Sequence, residues 1–204
     1  MSTRLLEIAR RLASFGTAQI SDALGRGQGA GGFTVYGRSS NNGVRGIART
    51  VQVPPGGNRA LHHRLPSIEP GDVMVVDAAG QLDRAIAGEL IVQMLLSRGA
   101  FGLIVHGAIR DADALRDLGF PVMARGTSPL GPHKEPGGRH GEPVSIGSMH
   151  LADGDLVIGD ADGVVGVPVA QADTVMEHAS RVAKREAAWR HDITAGRGWP
   201  DVLN

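Results

Sequence analysis

Arg110 and Asp111 stand side by side between two segments of different pattern. The apolar run 103–105, followed by HGAI, precedes the pair, and ADALRDLG, which has the spacing of a helix, follows it. A guanidinium can bind a carboxylate through two parallel hydrogen bonds, and carboxylates are ligands that Mg²⁺ prefers. The pair could therefore bind a small organic acid and a metal ion. Alternatively, Asp111 caps the following helix and Arg110 pairs with a nearby acid, and the sequence pattern alone leaves both interpretations open.

A second candidate site lies at Gly88, where the segment AIAGELIVQ starts a helix. The backbone N–H groups of Leu90 and Ile91 have no acceptor within that helix, and the helix dipole favours an anion at this end. In α/β sheets, ligands bind beyond the carboxyl ends of parallel strands. If the strands that precede Gly88 and Arg110 are neighbours, one carboxylate could contact Arg110 and both backbone donors, while Asp111 holds a cation.

The segments around these residues have the pattern of one α/β domain. At 204 residues the chain is long enough for a single sizeable core. Apolar runs at 71–80, 101–107 and 120–126 predict strands, and the periodic segments between them predict helices, the first of which ends at Gly99. Strands that alternate with helices in this way form βαβ units with a parallel sheet.

Other segments add to this predicted unit. Helices are expected over 3–14 and within 17–24, and strands within 33–53, so that a mixed sheet or two packed sheets is predicted. The segment 126–143 is rich in glycine and proline and is expected to form a surface loop. The last predicted helix, at about 170–192, has mixed charge and could pack on a neighbouring subunit.

The composition argues against several classes of function. The chain has 21 acidic and 21 basic residues without a long run of either sign, so it lacks the electrostatic footprint of nucleic-acid binding. It has no cysteine, which excludes disulfides, thiolate zinc sites and cysteine nucleophiles. No apolar segment is long enough to span a bilayer, so no membrane association and a cytoplasmic location are expected. The glycine-rich segment 27–32 leads into a strand-like segment, so a dinucleotide site is not predicted.

Several blocks of the chain, taken in order, resemble one known family. Glu89, twenty intervening residues and Arg110-Asp111 resemble the Asp-x20-Arg-Asp motif of the class II pyruvate aldolases, typified by 4-hydroxy-4-methyl-2-oxoglutarate aldolase. The relatives of this family include the regulator of ribonuclease activity A. The likeness extends to TAQISDAL at 17–24, GDVMVVD at 71–77, the segment 98–126, and GDLVIGDADGVVGVP at 154–168.

The resemblance implies a fold and an assembly. The expected fold is an α/β/β sandwich of the swivelling-domain, RraA-like type, with mixed sheets and a βαβ unit, in a single domain over residues 1–204. The expected assembly is a homotrimer or homohexamer with active sites between subunits.

The resemblance also implies a substrate site and a metal. Arg110 and the amides of Leu90 and Ile91, in the turn that begins at Gly88, would bind the carboxylate and keto oxygen of pyruvate. Asp111 would anchor Mg²⁺ or Mn²⁺, largely through waters. The metal would act as a Lewis acid on the enolate that forms when the carbon–carbon bond breaks.

Two glutamates complete this implied site, and three positions depart from the family. Glu89 replaces the family's aspartate and would hold a water on the metal that serves in proton transfer. Glu186, on the last predicted helix, matches the glutamate that a neighbouring subunit supplies. The family often has an acid where this chain has Ala114, for which Asp113 could compensate, and an acid or polar residue where it has His106.

The sequence therefore predicts a divalent-metal-dependent lyase. It would cleave a 4-hydroxy-2-oxo acid, such as 4-hydroxy-4-methyl-2-oxoglutarate or 4-carboxy-4-hydroxy-2-oxoadipate, to pyruvate and a second carbonyl compound. Oxaloacetate decarboxylation is expected as a side activity because it passes through the same enolate. The alternative is a non-catalytic protein that binds and regulates a ribonuclease. The acid at Glu89 favours the enzyme, since regulators in the family need not retain it.

Overall fold

The structure is a computed structural model that describes residues 2–37, 43–133 and 136–197. Each helix and strand predicted for the βαβ arrangement forms. The helices are α1 Ser2–Leu12, α2 Thr17–Ala23, α3 Arg59–Arg64, α4 Glu89–Ser97, α5 Ala112–Asp117 and α6 Ala172–Thr194. The strands are β1 Thr34–Val35, β2 Val44–Gln52, β3 Asp72–Asp77, β4 Ala85–Ala87, β5 Gly102–Ile109, β6 Val122–Thr127, β7 Arg139–His140, β8 Val144–Ile146, β9 Met149–Leu151, β10 Leu156–Gly159 and β11 Val164–Val167.

One mixed sheet organises the described part of the chain. Its strand order is β1-β6-β5-β3-β2-β10-β11, with β4 beside β5 and β7 beside β2, and β8 and β9 form a separate hairpin. The strands β2, β3, β5 and β6 run parallel, whereas β1, β10 and β11 run antiparallel to their neighbours. Because α4 and α5 connect successive parallel strands, the predicted mixed α/β fold with a βαβ unit is confirmed.

Both faces of this sheet are buried. The face that carries Met74, Val76 and Val105 packs against apolar residues of α3, α4 and α5. The opposite face, which carries Val75 and Ile104, packs against the β8–β9 hairpin. Helices α1 and α6 cover β10 and β11 with a third apolar cluster. Burial on both faces fixes the central strands, so that their carboxyl ends hold the following loops in defined positions.

Two parts of the β structure, one in the sheet and one in the separate hairpin, are not predicted from the sequence. The three residues of β4 are apolar and come just before the apolar pattern of α4, so the sequence pattern does not separate this short strand from the helix. The strands β8 and β9 are also three residues each, which is too short for an alternating pattern to be visible. In its described part, the predicted loop 126–143 contains only the end of β6 and the two-residue β7 as strands; residues 134–135 lie outside the described ranges.

None of the described helices is long and apolar enough to cross a membrane.

Candidate active site

The pairing of β4 with β5 brings the two candidate sites together. Ala87 lies opposite Ile109 in the parallel ladder, and the backbone N–H of Arg110 donates to the carbonyl of Ala87 at 3.0 Å. Gly88, which follows β4, therefore lies beside Arg110 and Asp111, which follow β5. The predicted strands 71–80 and 101–107 are also neighbours, as β3 and β5, which confirms the condition on which the shared site depended, although the strand that directly precedes Gly88 is the unpredicted β4.

Gly88 is required at this junction because of a close approach. Its backbone is extended, with φ −156° and ψ −162°, so the conformation itself does not demand glycine. However, a Cβ atom at this position would lie 2.5 Å from Oδ2 of Asp111 and 2.8 Å from Cγ of Arg110. Real Cβ atoms essentially never approach other atoms so closely. The absence of a side chain at Gly88 is therefore what lets the Arg-Asp pair lie against the start of α4.

Asp111 does not cap its own helix with its side chain, which corrects one of the two interpretations above. Its backbone carbonyl accepts the N–H of Leu115 at 3.0 Å, but its carboxylate accepts the N–H of Glu89, the first residue of α4, at 3.1 Å. The Asp111 backbone is left-handed, with φ 60° and ψ 35°, a conformation that aspartate tolerates better than most residues. The carboxylate thus stabilises the neighbouring helix end instead of its own.

Arg110 pairs only loosely with the adjacent acid. Its Nε lies 3.5 Å from Oδ2 of Asp111, and the two side chains are 44% and 40% exposed. A contact of this length between partly solvated groups contributes little to stability. The guanidinium therefore remains able to bind an external carboxylate.

The turn at the start of α4 offers one free amide instead of two. The N–H of Ile91 donates to the carbonyl of Gly88 at 3.1 Å, and the N–H of Val92 donates to the same carbonyl at 3.2 Å. Among the described residues, the N–H of Leu90 has no such acceptor. The expectation that Leu90 and Ile91 both present free donors is therefore corrected, because a tight first turn occupies the second.

These groups line one cavity of about 290 Å³. That volume suits a small ligand, since it lies near the lower end of known small-molecule sites. The lining residues come from β4, the first turn of α4, the end of β5, the segment 131–132 and α3 with its N-cap. They are Asn58, His62, Ala85, Ile86, Ala87, Gly88, Leu90, Ile91, Arg110, Asp111, Gly131 and Pro132.

Two lining residues, Asn58 and His62, are not predicted from the sequence as site residues. The buried amide of Asn58 donates to the carbonyl of Ile86 at 3.0 Å and so fixes α3 against β4. This contact joins residues 28 positions apart, so no local motif could reveal it. The pair His62-His63 was visible in the sequence, but no partner at metal-binding spacing distinguished it.

The two predicted glutamates lie in different places. Glu89 is the first residue of α4, between the lining residues Gly88 and Leu90, and its side chain accepts a hydrogen bond from Gln93 at 2.8 Å. Glu186 lies on α6, where it contacts Gln19 of α2 and Arg190, and it does not line the cavity of its own chain. Its assignment to the site of a neighbouring subunit stays a prediction.

A hydrated divalent cation fits the donors at this site better than a fully caged one. Among the described residues, no group of three or more metal-ligating side chains occurs. Asp111 has one carboxylate oxygen, Oδ1, without a hydrogen-bond partner in the part of the chain that the structure describes. Mg²⁺ keeps several waters and commonly takes only one or two carboxylates plus oxygens of the substrate. The residues present are therefore compatible with such an ion.

Ala114 and His106, two positions at which this chain differs from the family, lie in different parts of the structure. Asp113 pairs with Arg116, is 97% exposed and does not line the cavity of its own chain, so its compensation for Ala114 stays a prediction. Nδ1 of His106 lies 2.8 Å from Oδ1 of Asp77, on the sheet face opposite the cavity. His106 therefore contributes to a polar pair within the fold and does not line the candidate site.

The ionisation of Asp77 is controlled by this pair. Burial favours the neutral acid, but hydrogen bonds from His106 and from the backbone N–H of Ala79 outweigh burial and hold the pKa of Asp77 below its usual value. A group whose pKa is lowered on folding stabilises the folded state above its unfolded pKa, about 3.9, and loses that contribution as the pH falls through the folded value.

Asp77→Asn is expected to lower the free energy of unfolding at pH 7 by about 1–3 kcal/mol, because it removes a charged acceptor shared by two donors. Below about pH 3.9 the difference from wild type is expected to shrink, and it disappears as the pH falls through the lower pKa of the folded state, where the wild-type carboxyl becomes protonated in the folded protein too. Urea denaturation between pH 7 and pH 3 measures both effects, with the exposed Asp83→Asn as control. A variant as stable as wild type at pH 7, or a difference independent of pH, would contradict this account.

Comparison with known proteins gives relatives along the whole chain. The sequence model of the RraA-like family, described as Aldolase/RraA, matches residues 17–166. A protein of Halalkalibacterium halodurans, provisionally named 4-hydroxy-4-methyl-2-oxoglutarate aldolase, is 38% identical over 207 residues that cover 100% of this chain and 98% of that protein.

Solved structures of the same family share the fold. A Streptomyces coelicolor protein, described as an unusual member of the RNase ES inhibitor RraA protein family, is 33% identical with a TM-score of 0.80, over 90% of this chain and 96% of that one. The RNA-processing inhibitor RraA from Thermus thermophilis is 26% identical with a TM-score of 0.68, over 74% and 92% of the two chains. With a family match over most of its length, this chain belongs to the RraA-like family of aldolases and RraA proteins.

Proposed function

We propose that this protein is a divalent-metal-dependent aldolase that cleaves a 4-hydroxy-2-oxo acid to pyruvate and a second carbonyl compound. The observation that carries the proposal is the pairing of β4 with β5, through which Arg110, Asp111 and the free amide of Leu90 line one small cavity. Its 38% identity to a protein named as an aldolase supports the same class of reaction.

Each group has a chemical task in the proposed reaction. Arg110 binds the substrate carboxylate, and the N–H of Leu90 donates to the same carboxylate or to the keto oxygen. Asp111 would hold Mg²⁺ or Mn²⁺, which when bound supplies Lewis-acid stabilisation of negative charge on the keto oxygen. Glu89, which lies between the lining residues Gly88 and Leu90, would exchange protons with the reacting carbons through water.

The bond changes need no oxidant or reductant. The C3–C4 bond breaks, the C4 hydroxyl loses its proton and becomes a carbonyl, and C3 keeps the electron pair and takes up one proton to give pyruvate. Oxaloacetate loses carbon dioxide through the same enolate, so decarboxylation is a natural side activity. Arg110 and Leu90 hold the part of the molecule that is common to both substrates.

The proposed site also includes a second copy of the chain. Leu90 is 74% exposed, and Met94, one turn further along α4, and Leu130, which lies beside the lining segment 131–132, are also exposed. Exposed apolar side chains around a cavity are typical of a surface that a partner covers. We propose a homotrimer or homohexamer of single-domain subunits in which Glu186 of a neighbouring α6 reaches this rim.

Removal of divalent metal is expected to lower pyruvate release from 4-hydroxy-4-methyl-2-oxoglutarate by about 100-fold or more, since Lewis-acid stabilisation is worth several kcal/mol. Coupling to lactate dehydrogenase measures the rate after EDTA treatment and after addition of Mg²⁺ or Mn²⁺. Asp111→Asn keeps an acceptor for the Glu89 N–H but loses a charge, and it is expected to need a higher metal concentration. A rate that EDTA does not change would refute the metal-dependent mechanism.

A second candidate is a protein that regulates a ribonuclease without catalysis. The specific observation in its favour is the structural similarity to two proteins described as inhibitors of RNA processing or of an RNase. If no 2-oxo acid is turned over with either metal while the protein binds a ribonuclease, this candidate replaces the aldolase.

A further inference from the structure

One wall of the cavity lies against the end of the Arg110 side chain. Gly131 lines this wall, and a Cβ atom at Gly131 would lie 3.1 Å from Nη1 of Arg110. Further back along the same side chain, a Cβ atom at Gly88 would lie 2.8 Å from Cγ and 3.2 Å from Nε. Two glycines from different segments of the chain therefore contact Arg110, Gly88 near its base and Gly131 at its guanidinium.

The segment that carries Gly131 has no regular secondary structure of its own. Residues 128–132 follow β6 and belong to no helix or strand. On one side of Gly131, the carbonyl of Leu130 accepts the N–H of Ala85 at 2.8 Å. On the other side, the N–H of His133 donates at 2.7 Å to a carbonyl of the loop before α3. The path of this segment past the guanidinium is therefore set by individual hydrogen bonds.

Arg84 supplies the bond that holds Gly131 itself. Its Nη1 donates to the Gly131 carbonyl at 2.7 Å, between residues 47 positions apart in the chain. Within the described ranges, this is the only hydrogen bond of the Arg84 side chain, and it has a charged donor, which makes the stronger kind of hydrogen bond. Arg84 is half-buried and does not line the cavity. Its influence on the site is therefore indirect, through Gly131.

We propose that Arg84 is a positioning residue of the active site, which holds the Gly131 carbonyl and thereby fixes the wall that orients the guanidinium of Arg110. The inference rests on the proposed function, in which Arg110 binds the substrate carboxylate, and adds to it a residue outside the cavity. Two parallel hydrogen bonds to a carboxylate require the plane of the guanidinium to be aligned.

The contacts of Arg110 show why a wall matters for its orientation. The side chain is 44% exposed and its ion pair with Asp111 is long, at 3.5 Å, so this pair holds the guanidinium only weakly. A side chain whose orientation is fixed before binding loses less conformational freedom when the ligand arrives. Arg84 thus improves the binding of the carboxylate without contact with it.

Arg84→Ala is expected to raise KM for 4-hydroxy-4-methyl-2-oxoglutarate by about 10-fold in the full chain with Mg²⁺, while kcat stays within about twofold of wild type. The guanidinium of Arg110 is still present but less well oriented, so the effect is smaller than when Arg110 itself is removed. Pyruvate release coupled to lactate dehydrogenase measures both constants. Arg84→Lys retains a charged donor for the Gly131 carbonyl and is expected to recover most of the loss. An unchanged KM in Arg84→Ala would overturn the role of Arg84.

A double-mutant cycle separates the positioning of Arg110 from a general contribution to the fold. If Arg84 acts through Arg110, then Arg84→Ala has little further effect on kcat/KM in a protein that already carries Arg110→Ala. A residue that only stabilises the fold lowers kcat/KM by the same factor in both backgrounds. An equal factor in both backgrounds would therefore overturn the proposal.

Gly131→Ala reaches the same guanidinium without a change at Arg84. The added methyl group would lie 3.1 Å from Nη1 of Arg110, at the far end of a flexible side chain, so the guanidinium is displaced while the fold is retained. A rise in KM like that of Arg84→Ala is expected. Arg98→Ala is the matched control, because Nη1 of Arg98 also donates to a backbone carbonyl, that of Pro66 at 2.8 Å, away from the cavity. Its KM is expected to be that of wild type, and a rise as large as in Arg84→Ala would contradict the proposal.

Calorimetric titration with pyruvate in the presence of Mg²⁺ separates this inference from the proposed function. Wild-type protein is expected to bind pyruvate, Arg110→Ala to lose most of the affinity, and Arg84→Ala to bind about 10-fold more weakly than wild type. If the wild type neither binds pyruvate nor releases it from a 2-oxo acid, the proposed function is overturned, and this inference with it. Binding that depends on Arg110 but is unchanged in Arg84→Ala overturns this inference alone.

Discussion

Arg110→Ala is expected to lower kcat/KM for pyruvate release by about 100- to 1,000-fold, comparable to the loss of a preorganised donor at a developing charge. The variant loses the guanidinium that lies beside Gly88 and lines the cavity next to Asp111. Its fold is expected to persist, because the Arg110 side chain is 44% exposed and its ion pair with Asp111 is long, at 3.5 Å. Steady-state kinetics with a 4-hydroxy-2-oxo diacid and a thermal melt measure the two parts of this prediction.

Two controls sharpen the result for Arg110. Arg110→Lys keeps the charge but loses the planar fork that binds a carboxylate through two bonds, so an intermediate loss is expected. Arg116→Ala removes another exposed arginine, on α5, whose partner is Asp113, and the rate is expected to be that of wild type. A rate in Arg110→Ala equal to that in Arg116→Ala would remove Arg110 from the site.

Gly88→Ala is the second substitution for which a large effect is expected. The added methyl group would lie 2.5 Å from Oδ2 of Asp111, so the pair after β5 or the start of α4 has to move. Overpacking of this kind destabilises by about 1–3 kcal/mol, and displacement of reacting groups by about 1 Å lowers rates by about 100-fold. We expect both effects in one variant, measured by denaturation and by pyruvate release.

The matched control for Gly88 is another glycine in open space. A Cβ at Gly27 meets no atom within 4 Å, so Gly27→Ala is expected to change neither the activity nor the stability by more than a small fraction of the Gly88→Ala effects. If Gly88→Ala retains the wild-type rate, the close packing of Gly88 against Asp111 is unimportant for catalysis.

The sequence identifies the two junctions of the site because each obeys a local rule. An apolar run followed by a segment with helical spacing of apolar residues indicates a boundary between a strand and a helix. The charged pair Arg110-Asp111 lies at such a boundary. The pairing of β4 with β5 obeys no local rule, since three residues carry too little pattern. From the sequence alone, Gly88 and Arg110 could therefore be expected to lie close together only if the strands before them were neighbours. The register of β4 and β5 in the structure brings the two residues together.

Contacts over long distances in the chain explain the remaining differences. The capping rule assigns the Asp111 carboxylate to its own helix, whereas the fold offers it the closer N–H of Glu89, twenty-two positions earlier. Asn58 and His62 enter the cavity only because α3 is fixed to β4. The chain segment around α3 is mainly glycine, proline and basic residues, so its sequence predicts neither the helix nor this contact.

The contact of Gly88 with Arg110 and Asp111 makes these three positions one energetic unit. The free-energy cost of a side chain at position 88 depends on the atoms of Asp111 that lie against it. Conversely, the Asp111 carboxylate can accept the N–H of Glu89 at the start of α4 only because Gly88 leaves room for it. Effects of substitutions at residues in direct contact do not add. The three residues consequently constrain one another's replacement, and a change tolerated in a relative at one of them need not be tolerated here unless its neighbours change as well.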